Sequence, residues 1–246
     1  MLAGGLASAI NTVAGGGSLL SFPLLTLGFG IDPLIANATN AVCLWPGSLA
    51  GGLGYSNLLH KCGRYFRTFI WPTIAGAILG AILLVSTSPA VFRFVVPWLI
   101  LVAATCVALQ PRIRAWATAK GHRVSLAGGL LLQFLVSLYG GYFGAGMGIM
   151  MLGAFAFTME GDIHRLNAVK NWLGVAINLV ASVYFCTRGI VLFQIAVPLA
   201  VGSIGGGFMA ARVSQRVHPE KLRVAIAVYG VGMALIFFAR TLMGAT

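Results

Sequence analysis

Long stretches without Lys, Arg, Asp or Glu alternate with short charged segments along the chain. The charge-free stretches are 1–31, 33–60, 68–92, 94–111, 124–159, 171–187, 189–211 and 224–239. A helix needs about 20 apolar residues to cross a bilayer, so most of these stretches predict one membrane-spanning helix each. The pattern therefore predicts an all-α, polytopic membrane protein.

Two of the charge-free stretches, 1–31 and 124–159, are too long for one ordinary span, and a glycine cluster interrupts each of them. The clusters are Gly15-Gly16-Gly17 and Gly144-Ala145-Gly146-Met147-Gly148. The apolar segments that follow, 18–28 and 148–159, are too short to cross a bilayer upright. We expect them to be half-helices, and the sequence leaves open whether each broken pair is a re-entrant hairpin or two short spans.

The order of features in the first half of the chain recurs in the second half. Leu-Ala-Gly-Gly-Leu occurs at 2–6 and again at 126–130, and each glycine cluster precedes a helix with a polar start. An offset of 130 matches Asn37 with Asn167 and Asn40 with Lys170. The recurrence predicts two repeats, 1–110 and 124–246, joined by a basic cytoplasmic linker at 111–123. Each repeat would combine a glycine-broken pair of half-helices with about three full spans.

Basic residues predict the orientation of the chain, because short cytoplasmic loops are enriched in Lys and Arg. Three basic clusters, within 61–67, 112–123 and 212–223, are expected on the cytoplasmic side. The connections that carry Asp32, Arg93 and Arg188 contain few basic residues and are expected outside. The helices after the two glycine clusters then run in opposite directions, so the repeats are predicted to be inverted.

Polar residues form one stripe on each of the helices predicted at 33–57 and about 163–186. The stripes consist of Asn37, Asn40 and Ser48 on the first helix, and of Asn167, Lys170, Asn171, Asn178 and Ser182 on the second. Residues at these spacings share one helix face, which we expect to face the protein interior. The amides could bind a ligand or could only join helices.

Lys170 is the exceptional member of these stripes. A cation about two turns into a span is costly in a membrane and indicates a functional site or a charged partner. The alternative is that its side chain extends to the cytoplasmic surface. If it stays inside, it supplies positive charge to an interior that lacks carboxylates, because all four acidic residues are predicted in connections.

Composition narrows the function classes. The 246 residues are 59% hydrophobic and 8% charged, against about 25% charged in an average soluble domain. The net charge of +12 follows from the cytoplasmic loops and does not predict a nucleic-acid partner. The four cysteines form no C-x-x-C pair, so no metal site is expected. No cofactor motif or catalytic motif is present, so we expect a protein that is not an enzyme.

The glycine clusters predict a binding site for a small anion. Half-helices that start there would point free N–H groups and the positive end of the helix dipole at the protein centre. The candidate substrate-binding residues are Gly15, Gly16, Gly17, Ser18, Asn37, Asn40, Gly146, Met147, Gly148, Asn167, Lys170 and Asn171. The glycines, Ser18 and Met147 would donate backbone N–H groups, the asparagines side-chain amides, and Lys170 its charge.

These motifs resemble the TauE/SafE family of membrane transporters, the sulfite exporter family. The resemblance rests on Gly15-Gly16-Gly17, Pro23, Asp32-Pro33 and Ala36-Asn37-Ala38-Thr39-Asn40, with a looser copy around 144–171. It implies a secondary carrier of the bacterial inner membrane that moves sulfite, organosulfonates or related anions, driven by the proton-motive force. Its partners would be a small anionic substrate and membrane lipid. An anion channel, a carrier of small carboxylates and a structural subunit remain alternatives, and the oligomeric state stays open.

Overall fold

A computed structural model describes residues 1–13, 15–54, 56–119, 124–159, 163–213 and 219–243. In these residues the chain forms α-helices and one π-helical segment, without a strand. The helices are α1 (Leu2–Val13), α2 (Ser18–Pro23), α3 (Pro33–Gly54), α4 (Ser56–Ser86), α5 (Pro89–Ala119), α6 (Leu126–Tyr142), α7 (Met147–Thr158), α8 (Ile163–Thr187), α9 (Phe193–Val213) and α10 (Pro219–Leu242). The π-helical segment, Leu24–Gly28, continues α2.

Five helices of the described chain are long and apolar enough to cross a membrane. They are α4, α5, α8, α9 and α10. Helix α3 has 22 residues, a length of about 33 Å that also suffices for a crossing, but its polar residues lower its hydropathy. The prediction of an all-α, polytopic membrane protein is confirmed.

The predicted half-helices are present on the carboxyl side of both glycine clusters. Residues 18–28 form α2 with its π-helical continuation, and α7 covers Met147–Thr158. The backbone N–H of Val124, just before α6, donates to the carbonyl of Phe157 near the end of α7 at 3.2 Å. Helix α7 therefore returns to the level at which α6 begins, so α6 and α7 form an antiparallel hairpin.

The two halves interlock through their helices. Helices α3 and α8 pack against each other, and 61% of the α8 span is buried, against 28–39% for the other four spans. Helix α1 of the first half packs on α9 of the second, and α6 of the second half packs on α4 of the first. These two contacts are reciprocal, and they surround α3 and α8 with protein instead of lipid.

Glycines allow the reciprocal contacts to be close, as expected for small residues at membrane-helix interfaces. A Cβ at Gly76 or Gly80 would collide with the backbone of α6. A Cβ at Gly202 would collide with Met1, and one at Gly206 with Gly5 of α1. The close packing of these helices therefore requires residues without a side chain at these positions.

The predicted linker at 111–123 overlaps a helix. Helix α5 continues through Pro111 to Ala119, so the first nine residues of the predicted linker belong to this helix. Residues 120–123, with the basic Lys120 and Arg123, lie outside the described residues.

Candidate functional site

The two glycine clusters meet inside the protein. A Cβ placed on Gly15 would lie 2.9 Å from the carbonyl carbon of Gly148, and one on Gly148 would lie 2.9 Å from Cα of Gly15. Real Cβ atoms do not approach other atoms so closely, so the contact requires glycine on both sides. Both clusters are buried, and the starts of α2 and α7 are thereby placed at the interface of the two halves.

The backbone conformation also requires glycine at both glycine clusters, which form the two breaks between helices. Gly15 has φ of +82° and Gly146 has φ of +73°, in the left-handed region that other residues rarely occupy. Gly15 ends α1 by donating its N–H to the carbonyls of Ile10 and Asn11. The hydroxyl of Tyr139 donates to the carbonyl of Ala145 at 2.8 Å and holds the second break in place.

Lys170 points into the protein at the contact of the two breaks. Its side chain is 2% exposed, and a Cβ on Gly148 would lie 3.3 Å from its Cδ. Its Nζ donates to the carbonyls of Asn11 and Thr12, each at 3.3 Å. The alternative in which Lys170 extends to the cytoplasmic surface therefore does not apply to this structure.

The electrostatic setting of Lys170 combines a helix end with an absence of acidic partners. Asn11 and Thr12 lie in the last turn of α1, where carbonyls and the helix dipole attract a cation. Within the described residues no carboxylate contacts the ammonium, and Asp32 is paired with Arg93 at 3.5 Å. The carbonyls use two of the three ammonium protons, so one donor and the formal charge remain for a ligand.

A small cavity adjoins Lys170. Its lining comes from α1, α3, α7 and α8 and consists of Asn11, Ser48, Met147, Gly148, Met151, Lys170, Asn171 and Gly174. The cavity volume of about 10 Å³ is enough for about one water molecule. Sulfite is larger than water, so this conformation is closed to it.

Two cavity amides differ in their hydrogen bonds. The side-chain amide of Asn11 donates to the hydroxyl of Ser48 at 3.1 Å. The Nδ2 atom of Asn171 is buried and has no partner in the described part of the chain. A buried donor without a partner costs about 1–3 kcal/mol, so a bound acceptor would stabilise this arrangement.

The backbone amides of the two breaks are only partly free. Within the described residues, no acceptor is present for the N–H groups of Gly16, Gly17, Ser18, Gly146 and Gly148. The N–H of Met147, which the sequence assigned to the ligand, instead donates to the carbonyl of Gly144 at 3.3 Å. In this conformation Met147 lines the cavity with its side chain and does not offer its amide.

The polar stripes are buried as predicted, at 2–8% exposure, but not all of their residues line the cavity beside Lys170. Asn37 donates its side-chain amide to the carbonyl of Tyr142, the last residue of α6, at 2.9 Å, and it does not line the cavity. Asn40 and Asn167 each bury a side-chain oxygen without a partner among the described residues. Of the predicted side-chain donors, Lys170 and Asn171 line the cavity.

Four residues of the cavity wall are absent from the predicted binding set, namely Asn11, Ser48, Met151 and Gly174, although Ser48 was predicted on a polar stripe. Asn11 carried a signal, because it is the one amide side chain in the charge-free stretch 1–31 and lies four positions before Gly15. Met151 and Gly174 carried none, since an apolar residue and a glycine are ordinary in a membrane helix. In the described residues no group of three His, Cys, Asp or Glu could hold a metal ion.

Comparison with known proteins gives a match over most of the chain. The family model described as "Sulfite exporter TauE/SafE" matches residues 1–237. This span contains both glycine clusters, both polar helices and the reciprocal contacts between the halves. No solved structure matches the chain.

Curated bacterial relatives cover nearly the full length. A probable membrane transporter protein of Haemophilus influenzae is 28% identical over 215 residues, which are 85% of this chain and 82% of the relative. The probable membrane transporter protein ORF9 of Sinorhizobium sp. is 24% identical over 235 residues, 95% of this chain and 89% of the relative. The probable membrane transporter protein YfcA of Escherichia coli K12 is 24% identical over 229 residues, 93% of this chain and 84% of the relative.

Proposed function

Because the chain belongs to the sulfite exporter TauE/SafE family, we propose that it is a secondary active transporter of small sulfur-containing anions. Sulfite and organosulfonates are the proposed substrates, and export is the proposed direction. The family match, the relatives and the apolar spans make the chain a multi-pass membrane transporter of the bacterial inner membrane.

The buried positive charge of Lys170 is the main support for an anionic substrate. Its ammonium is buried beside the cavity, has one donor to spare and meets no carboxylate in the described residues. An uncompensated buried charge costs several kcal/mol. The terminal carbonyls of α1 offset part of that cost, and an anion in the cavity would offset the rest. Asn171 adds an amide donor to the same wall.

The glycine breaks supply the second element of the proposed site. An oxyanion next to Lys170 would lie at the contact of Gly15 and Gly148, where α2 and α7 begin. Backbone N–H groups at helix starts bind anions through direct hydrogen bonds and the helix dipole. The proposed roles are charge from Lys170, a side-chain amide from Asn171, and backbone amides from Gly16, Gly17, Ser18 and Gly148.

Transport is proposed to proceed by alternating access between two inverted repeats, 1–110 and 124–246. The reciprocal packing of α1 on α9 and of α6 on α4 supports this division. The cavity is closed to sulfite here, as one state of such a cycle requires. A rocking motion of one repeat against the other would separate Gly15 from Gly148 and enlarge the cavity.

The test is sulfite flux into liposomes that contain the purified full chain, with a pH gradient imposed and with sulfate, taurine or acetate as competitors. Saturable uptake that responds to the gradient supports the coupled carrier, and the competitors rank sulfur anions against carboxylates. Ion flux that does not saturate and far exceeds carrier rates would identify a channel instead.

Two variants test the site in the same assay. Lys170→Met removes the ammonium and keeps an unbranched apolar stem, so we expect uptake to fall by at least about tenfold. Arg188→Gln is the matched control, because it removes one positive charge just beyond the other end of α8. Arg188 is exposed and donates to the hydroxyl of Tyr184, so uptake should stay at the wild-type level.

A further inference from the structure

A second, much larger pocket opens at the end of the molecule that the charge pattern places on the non-cytoplasmic side of the membrane. It has a volume of about 470 Å³ and lies between the π-helical segment, the start of α3, the start of α5 and the end of α10. It shares no lining residue with the cavity beside Lys170. The site proposed above therefore does not account for it.

Three charged side chains line the outer pocket. Arg93 of α5 pairs with Asp32 at 3.5 Å, which neutralises that pair formally. Arg240, in the last turn of α10, has no hydrogen bond or ion pair with any described residue. The described lining of the pocket therefore carries a net positive charge on the side of the membrane where basic residues are rare, and the Arg240 guanidinium has no partner among the described residues.

An aromatic floor separates the outer pocket from the interior. Phe237 lines the pocket, is 6% exposed and stacks on Phe22 of α2 with ring centroids 5.8 Å apart. Phe22 in turn contacts Phe143, next to the second glycine cluster, at 5.1 Å. A ligand in the pocket would lie above this aromatic layer and would not contact the glycine breaks.

The wall chemistry defines the ligand class. Leu27, Phe94 and Phe237 provide apolar surface, and Arg240 provides a planar fork of donors that suits an oxyanion. We propose that the outer pocket is a second anion site, which binds a sulfonate or phosphate group attached to an apolar stem. A free organosulfonate and the headgroup of an anionic lipid share this chemistry.

The proposed binding of anions at the outer pocket goes beyond the proposed transport function and does not rest on it. Binding can be measured without transport, and Lys170 separates the two proposals. A Lys170 variant that loses uptake and still binds an alkyl sulfonate would show the outer site to be independent of the central one.

The experiment is calorimetric titration of hexanesulfonate into the full chain in phosphatidylcholine nanodiscs. We expect Arg240→Gln to weaken binding by at least about tenfold and Arg240→Lys, which keeps the charge, to weaken it less. Lys170→Met, which alters only the central site, should retain the Arg240-dependent part of hexanesulfonate binding. Arg212→Gln is the matched control, because it removes an exposed arginine from α9 that stacks on Phe208, and it should also bind normally.

A second arm identifies the source of the anion. Phosphatidylglycerol added to the nanodiscs should weaken hexanesulfonate binding to the wild type and not to Arg240→Gln if a lipid headgroup enters the pocket. No competition would assign the site to free organic anions. Equal affinities of wild type and Arg240→Gln, with both proteins folded by thermal unfolding, would overturn the proposal, as would loss of all binding in Lys170→Met.

Discussion

The two central helices, α3 and α8, each donate a side-chain hydrogen bond to carbonyls at the end of a helix from the other half. Helix α3 does so through a neutral side chain, and α8 through a charged one. Near the start of α3, Asn37 donates to the carbonyl of Tyr142 at the end of α6. Near the start of α8, Lys170 donates to the carbonyls of Asn11 and Thr12 at the end of α1. Each contact satisfies carbonyls that a helix end leaves without a partner.

The difference between these contacts separates a structural role, that of Asn37, from a proposed role in ligand binding, that of Lys170. Asn37 makes its bond without any charge, so the architecture does not require a cation to join a central helix to the other half. Lys170 makes the same connection at the cost of burying an ammonium. The extra charge is therefore best explained by a ligand, and the cavity lies on the charged side.

Replacement of Lys170 by Asn would make both contacts of the central helices neutral. This variant should have the largest effect on sulfite uptake. Asn is the residue that the first half has at the matching position, Asn40, and its amide is too short to replace the ammonium. A hydrogen bond to a charged group contributes about 1.5–3 kcal/mol, so the apparent KM for sulfite should rise by about tenfold or more. Uptake into proteoliposomes measures this change, and an unchanged KM would contradict it.

The contact between the breaks gives the next largest effect. In Gly148→Ala the new methyl would lie 2.9 Å from Cα of Gly15, so the halves must shift, at a cost of about 1–3 kcal/mol. Thermal unfolding in detergent should show a lower midpoint.

The matched control for this substitution is Gly174→Ala on the same cavity. Its methyl would meet atoms no closer than 3.8 Å, so the unfolding midpoint should be retained. Because that methyl also takes up cavity space, sulfite uptake should fall while stability does not. Equal stability of Gly148→Ala and Gly174→Ala would refute the close contact of the breaks.

The neutral contact should influence stability and leave sulfite affinity unchanged. Asn37→Ala removes one buried hydrogen bond to Tyr142, a loss of about 1 kcal/mol. The unfolding midpoint should decrease slightly, and the KM for sulfite should stay within about twofold of the wild type. A large increase in KM would place Asn37 in the binding site after all.

The smallest effect is expected from Ser48→Ala. This variant removes the acceptor of the Asn11 amide, which costs about 0.5–1 kcal/mol in stability. The freed amide stays on the cavity wall as a donor, so sulfite affinity should not decrease. Titration of sulfite against both proteins checks this, and a weaker Ser48→Ala complex would indicate that the hydroxyl itself contacts the anion.

Features determined by local sequence could be predicted. The charge-free stretches predicted the membrane-spanning helices, and the glycine clusters predicted where α2 and α7 begin. The polar stripe of α8 predicted the inward face on which Lys170 lies, but it left open whether the side chain stays inside. These predictions need only helix geometry and the cost of polar groups in a membrane.

Partners across the fold could not be predicted. Asn37 and Tyr142 are 105 residues apart, and Lys170 and Asn11 are 159 apart, so no local pattern relates them. The sequence therefore grouped Asn37, Asn40, Asn167 and Asn171 into one site, whereas the structure bonds Asn37 to α6. The outer pocket was missed for the same reason, because Asp32, Arg93 and Arg240 come together from three separate helix ends.

The most direct test of the central claim is calorimetric titration of sulfite into the purified full chain, Lys170→Met and Arg188→Gln, each with its thermal unfolding recorded. We predict that Lys170→Met stays folded and binds sulfite at least about tenfold more weakly, and that Arg188→Gln binds as the wild type does. Equal sulfite affinity of folded Lys170→Met and wild type would contradict the assignment of Lys170 as the charge of the anion site.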